Sequence, residues 1–190
     1  MEQSEGIITR LTKLTDTSLI VHWFTAEDGL IKTVAKGARR PKSPFAGRLD
    51  LFFDAQLQWA RSRGELHTLR EVTPGRLRAA IRGNYPSTLL AAYFCRLLEH
   101  AVERDHPEPE LHDLLRRALD HVDEAGASQR ALDHFEKELA RLLGLSSPRQ
   151  AAETVLREAL GGLPPQRETF LATFAPGRSF PFPDGDSRRS

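Results

Sequence analysis

A chain of 190 residues suits one or two domains. With 39% hydrophobic and 28% charged residues it reads as an ordinary globular protein, which excludes collagenous, disordered and membrane-embedded classes. The single cysteine, Cys95, excludes a disulfide framework and a Cys-based zinc site. The net charge of +1 conceals an asymmetry: residues 1–82 carry 14 Lys and Arg against 9 Asp and Glu, a net of +5, and residues 83–190 carry 13 against 17, a net of −4. A cationic first half joined to an anionic second half suggests two units with different partners, the first suited to a polyanion.

In chain order, the first ~75 residues hold short alternating or β-branched runs bounded by turn signals. Gly6–Leu11 and Ser18–Thr25 are the first two predicted strands. Asp28-Gly29 follows, a hairpin signal because glycine tolerates the positive φ of tight turns, so Leu30–Lys36 is expected to return antiparallel. A Pro-containing loop, Arg39–Gly47, leads to predicted strands Leu51–Trp59 and Leu66–Val72. Five strands with a long loop after the third fit a small closed barrel, an SH3-like barrel or an OB-fold, and strand count does not choose among them.

From about residue 75 the period changes from two to 3.6. Leu89, Leu90, Tyr93, Phe94, Leu97, Leu98 and Ala101 form a wide apolar stripe on a well-buried first helix. Leu111–Val122 supplies a second helix ended by Gly126, and Leu132–Leu143 a third, with Gly144 placed as a left-handed cap. Ser147-Pro148-Arg149-Gln150 has the form of a capping box opening a fourth helix that runs to about Leu160. Gly161–Pro165 reads as a linker, Arg167–Phe174 as a short helix or turn, and the tail from Pro176 as flexible.

The acidic start, Met1–Glu5, differs from the basic start of a secretion signal, and no apolar run nears the ~18 residues of a membrane span, so a cytoplasmic protein is expected. Enzyme signatures are missing: no phosphate-binding loop, dinucleotide fingerprint, nucleophile elbow or H-E-x-x-H. His100, His106, His112 and His121 lack metal-site spacing, and Asp123-Glu124 and Glu136/Glu138 read as solvated helix faces rather than acid/base pairs. No catalytic residue, metal or cofactor is expected. The sharpest feature is the stretch from Lys36 to Arg48, where Lys36, Arg39, Arg40, Lys42 and Arg48 occur with no acid among them. Such charges suit a phosphate backbone, and Phe45, or less directly Trp23 and Trp59, offers a stacking surface for bases.

Ser18-x-x-Val21-x-x-Phe24-Thr25, Gly29 and above all Val34-Ala35-Lys36-Gly37-Ala38-Arg39-Arg40-Pro41-Lys42-Ser43 resemble the N-terminal domain of the RecO recombination mediators. The resemblance extends through Leu66-x-x-Leu69-x-Glu71, Ala91-Ala92-Tyr93, Pro109–Leu119 and Phe135–Gly144, covering roughly residues 5–145. It implies an α+β protein: a five-stranded OB-fold barrel over residues 1–80, an all-α domain over 81–175 and a tail at 176–190. It further implies no bond chemistry, annealing of single-stranded DNA, and loading of the RecA recombinase, together with RecR, onto strands covered by single-strand-binding protein. Many relatives carry a four-cysteine zinc module after the equivalent of Leu142-Leu143-Gly144; this chain has Ser147, Pro148 and a predicted helix there. In this reading the loop, with Lys36, Arg39, Arg40, Lys42, Phe45 and Arg48, meets DNA. The helical half, with Arg116, Arg117, Arg130, Lys137 and Arg141 flanking apolar grooves, takes the acidic, hydrophobic-ended tail of the single-strand-binding protein. The arginines also suit i, i+4 pairing with neighbouring acids. A protein–protein adaptor with an OB-type barrel, or an RNA-binding OB protein, are the alternatives.

Overall fold

The structure, a computed structural model, describes residues 1–174. Five strands, β1 (Glu2–Lys13), β2 (Leu19–Thr25), β3 (Gly29–Ala35), β4 (Asp54–Ala60) and β5 (Leu66–Pro74), close into a barrel in the order β1-β2-β3-β5-β4. All pairings are antiparallel except β3–β5, where Lys32, Thr33 and Val34 face Leu66, His67 and Thr68 in parallel. This is the OB-fold arrangement. Six helices follow: α1 (Ala79–Arg82), α2 (Tyr85–Ala101), α3 (Pro109–Ala125), α4 (Gln129–Leu142), α5 (Ala152–Leu160) and α6 (Gln166–Leu171), then a 3₁₀ turn at Ala172–Phe174. The expected tail from Pro176 lies outside the described residues.

Barrel closure explains why β1 is longer than the predicted Gly6–Leu11. Its first half, Glu2–Ile7, pairs with β4 and its second half with β2. The Asp-Gly turn works as expected: Gly29 sits at φ 67°, Thr25 Oγ1 accepts from the Asp28 N–H at 3.0 Å and donates to the Gly29 carbonyl at 3.2 Å. The fourth strand starts later than the predicted Leu51, because Phe52 adopts φ 69°, a left-handed conformation no strand residue takes.

The helices begin and end where local chemistry favours it. Asn84 caps α2 by accepting from the Ser87 N–H at 2.9 Å, and Ser128 caps α4 by accepting from the Ala131 N–H at 3.1 Å. Gly144 takes φ 71° after α4, the positive φ the sequence predicts there, and Gly126, at φ 79°, ends α3 as expected. The capping box at Ser147 does not form. Its hydroxyl accepts from the Arg149 N–H at 3.2 Å in a local bend, and α5 opens at Ala152 with no side-chain cap.

Two clusters make the core. The barrel interior holds Ile8, Val21, Trp23, Ile31, Leu57, Trp59, Leu69 and Val72. The second cluster joins Ile7, Phe24 and Phe52 of the barrel side to Leu90, Phe94, Leu115, Phe135 and their neighbours in the helices. Barrel and helices therefore share one apolar interface, onto which the buried His112 of α3 sets its ring 5.8 Å from that of Phe24.

Arg78 lies at the centre of this junction, its side chain 0% exposed and its backbone at φ 45°. Its guanidinium donates to both carboxylate oxygens of Asp54 at 2.7 and 2.9 Å, to Asp120 of α3 at 2.7 Å and to the Phe52 carbonyl at 2.6 Å. Removing one partner of such a buried network strands the others, at a cost of about 3–5 kcal/mol. Arg78→Ala is therefore expected to lower the unfolding free energy by about that amount in urea titrations. Arg78→Lys, which keeps the charge but loses the planar fork, is expected to fall between.

Candidate nucleic-acid interface

The basic loop leaves β3 at Lys36 and returns at Phe53. It is a chain of turns: the amides of Arg40, Ser43, Ala46 and Arg48 donate to the carbonyls of Gly37, Arg40, Ser43 and Phe45. Gly37, at φ 69°, permits the first turn, and its N–H donates to Ser18 Oγ at 3.3 Å. Arg39 ties the loop to the β1–β2 turn through its N–H to the Thr17 carbonyl at 3.0 Å and its guanidinium to the Asp16 carbonyl at 3.3 Å. Arg48 reaches the Val72 carbonyl of β5 at 3.3 Å.

Phe45 departs from its expected role. At 6% exposure it packs into the barrel cluster with Ala38 and Leu49, because it is the one large apolar side chain between Lys36 and Arg48 available to pin the middle of the loop down. It anchors the loop and presents no stacking face. Trp23 and Trp59 are likewise fully buried, their indole N–H groups donating to Thr33 Oγ1 at 2.8 Å and Ser4 Oγ at 3.0 Å.

The loop cations stay outside. Lys36, Arg39, Arg40, Lys42 and Arg48 are all exposed, and among the described residues none of them forms an ion pair. Arg76, Arg78, Arg82, Arg96, Arg104 and Arg167, by contrast, each pair with a carboxylate. Five unneutralised positive charges on one anchored loop make a site whose electrostatics favour a polyanion.

In the helical half, α3 and α4 enclose a groove of about 430 Å³ floored by Phe94, Leu114, Ala118 and Phe135. Arg117 and Arg130 stand at its rim with His121 and His134. Arg117 is held by Asp113 at 2.7 Å, whereas Arg130 forms no ion pair among the described residues. The other named residues lie elsewhere: Arg116 bonds Asp113 at 2.5 Å and faces Asp120 at 3.7 Å, Lys137 lines a separate cleft beside α5, and Arg141 pairs with Glu138 at 3.0 Å. The two arginine hydrogen bonds hold the Asp113 carboxyl below its usual range.

Glu136 corrects another expectation. Instead of a solvated face it is 2% exposed, accepting from Tyr93 OH at 2.6 Å and from Arg167 at 2.7 and 3.2 Å. Burial and the neighbouring carboxylate push the Tyr93 hydroxyl well above its ordinary pKa. Among the described residues no group of three or more His, Cys, Asp or Glu is placed to hold a metal ion, and no helix is long and apolar enough to cross a membrane.

A five-stranded barrel in OB order, carrying five unpaired cations on the loop after β3 and continued by packed helices, defines an OB-fold protein with an appended helical unit. The chain belongs to the RecO family: residues 1–78 match the model described as recombination protein O N terminal, and residues 82–148 the corresponding C-terminal model. It is 33% identical over 142 residues to a protein named DNA repair protein RecO from Syntrophotalea carbinolica, covering 74% of this chain and 55% of that one. A protein of the same name from Rhodopirellula baltica is 35% identical over 157 residues, 81% of this chain and 57% of that one. One from Listeria monocytogenes is 32% identical over 145 residues, 76% and 56% of the two chains. The matched region thus spans little more than half the length of these curated relatives.

His22, on the outer face of β2, is held mostly neutral: burial first, then the adjacent Arg10, lowers its pKa from 6.5 to about 4. The unfolded chain takes up this proton near 6.5 and the folded chain only near 4, so stability falls as pH drops through that window and the loss is complete below it. Relative to the parent, His22→Gln is therefore expected to gain stability steadily between pH 6.5 and 4 in urea titrations, and to show a constant difference above pH 7.

Proposed function

We infer that the chain is a non-catalytic mediator of DNA repair and recombination that binds and anneals single-stranded DNA and helps load RecA onto strands covered by single-strand-binding protein, together with RecR. The observation that carries this reading is the anchored loop with five exposed cations free of ion pairs among the described residues. OB-folds hold single strands by following the backbone with cations, which tolerates any sequence. Neutralising phosphates on one strand lowers its repulsion for a complementary one, which is the physical basis of annealing. The names of the relatives support the repair assignment.

The division of labour follows the charge. Residues 1–80 carry the strand and residues 81–175, with their acidic excess, serve protein partners. The α3–α4 groove, apolar inside with Arg117 and Arg130 at its rim, suits an acidic tail that ends in a hydrophobic residue, as the tail of the single-strand-binding protein is expected to. An Arg117→Ala/Arg130→Ala variant is expected to bind such a tail peptide about tenfold more weakly, the loss of two charge-assisted contacts, with its affinity for oligo(dT) unchanged.

The loop is tested by changing Lys36, Arg39, Arg40 and Lys42 together to alanine. Exposed substitutions of this kind cost within about 0.5 kcal/mol each, so the variant is expected to fold. With four or five phosphates neutralised, the parent's log K for oligo(dT) is expected to fall with log salt at a slope of roughly −3, from about −0.7 per phosphate, and the variant's slope to be shallower by about 0.7 for each removed cation that engaged a phosphate. Equal binding by parent and variant removes the loop from the site. A flat salt response by the parent points to the adaptor, and a preference for RNA of equal length to the RNA-binding alternative.

A further inference from the structure

The turn between β4 and β5, residues 61–65, projects from the barrel with every residue exposed. Its last residue, Glu65, brings one carboxylate oxygen to two cations at once: 2.5 Å from an Arg104 guanidinium nitrogen and 3.4 Å from Lys32 Nζ. These cations come from different parts of the fold, β3 and the connection between α2 and α3. The structure takes unusual backbone to hold Arg104 there. Arg104 forms a β-bridge with Leu30, the Asp105 N–H donates to the Leu30 carbonyl at 3.3 Å, and Asp105 sits at φ 54°. Gly29 admits the chain at this point, since a Cβ there would lie 2.0 Å from the His106 carbonyl oxygen.

Arg104 and Lys32 also line a cleft of about 70 Å³ with Arg10 and His22. The only acid in its lining is Glu99, which is already engaged by Arg10 and Arg96. Glu65 is not part of that lining and meets two of its cations, Lys32 and Arg104, with a side chain 68% exposed. An oxygen anion set between a lysine and an arginine is the arrangement a phosphate oxygen takes. Ion pairs this exposed are worth ~0–1 kcal/mol, so a polyanion arriving with several phosphates outcompetes them. The place is also right: Lys32 and Lys36 alternate outward along the same strand and its continuation, about 13 Å apart at the strand rise. That distance is well inside the roughly 4–16 nucleotides an OB-fold engages.

We propose that Lys32 and Arg104 form a second backbone-phosphate subsite for single-stranded DNA, continuing the path from the basic loop, and that Glu65 occupies it as an internal phosphate mimic until the strand displaces it. The proposal rests on the single-strand reading of the loop. Glu65 then restrains binding, so removing its charge strengthens binding, a gain that misfolding does not imitate.

The test measures binding of the full chain to fluorescent oligo(dT) of about 20 nucleotides by anisotropy across a salt series. Glu65→Gln is expected to bind about threefold to fivefold more tightly, by removing a competitor of exposed ion-pair strength. Glu71→Gln is the control for net charge: Glu71 is exposed on β5 and forms no ion pair among the described residues, and its change is expected to shift affinity less than twofold. In a Lys32→Ala/Arg104→Ala background the gain from Glu65→Gln is expected to vanish, and the salt slope to fall by about 0.7 per lost phosphate. Equal effects of Glu65→Gln and Glu71→Gln, or a gain that survives without Lys32 and Arg104, overturn the subsite. If the fourfold loop variant loses binding while Glu65→Gln acts like Glu71→Gln, this inference fails alone. If the parent does not bind oligo(dT), or the loop variant binds as the parent does, the underlying reading fails with it.

Discussion

The rest of the structure depends on one buried guanidinium. Arg78 bonds Asp54 at the start of β4, Asp120 on α3 and the carbonyl of Phe52, so the entry to β4 and a helix converge on a single cation. Desolvating it is costly, and only the full set of acceptors offsets that cost. The backbone bends to supply them: Phe52 at φ 69° turns its carbonyl to the guanidinium, and Arg78 itself at φ 45° aims the side chain inward. The same left-handed Phe52 delays β4 and fixes where the basic loop ends. A residue in the linker between barrel and helices thereby sets the far boundary of the loop.

The loop is consequently held at three points. Gly37 and Arg39 tie its start to the β1–β2 turn, Phe45 seats its middle in the barrel core, and Phe52 with Arg78 secures its return. An ordered loop loses less conformational freedom when it meets a ligand than a floppy one, so more of the electrostatic attraction survives as affinity. Burying Phe45 is the means by which five cations are kept in place without an acid among them.

Much of this was legible in the sequence where a local pattern carries the physics. Period-two runs, the Asp28-Gly29 turn, the change to a 3.6 period and the glycines at 126 and 144 mark the barrel, the first hairpin and the helix ends. Other features depend on contacts distant in the chain, which no local pattern encodes. Phe45 has neighbours typical of a surface loop, and its burial arises from the barrel mouth it covers. Glu136 sits among charged residues on α4, yet Tyr93 and Arg167, 43 and 31 positions away, close over it. Arg78 is one arginine among several in its segment, with acceptors 24 and 42 positions away. Ser147 has the spacing of a cap, but its hydroxyl is already satisfied two residues on. The resemblance of Val34–Ser43 to the family located the loop without revealing how it is held.

The distribution of paired and unpaired charge is what gives the molecule a direction. In the helical half most arginines sit beside acids that neutralise them, as with Arg116 and Arg117 on Asp113 or Arg157 on Glu153, with Arg130 and Arg149 the exceptions among the described residues, and the remaining excess is negative. At the barrel loop the cations have no such partners among the described residues. Screening confines each field to about 10 Å at 0.1 M salt, so the two surfaces act separately on whatever approaches. Mechanically they are not separate, because Ile7, Phe24 and Phe52 are packed into the same cluster as α2, α3 and α4. A chain cut at the change of period would uncover those three residues and leave Arg78 without Asp120. The helices therefore contribute to the shape of the loop, touching only its return, where Arg82 pairs with Asp50 and Phe52 joins their cluster, and a site that looks local to the barrel is a property of the whole described fold.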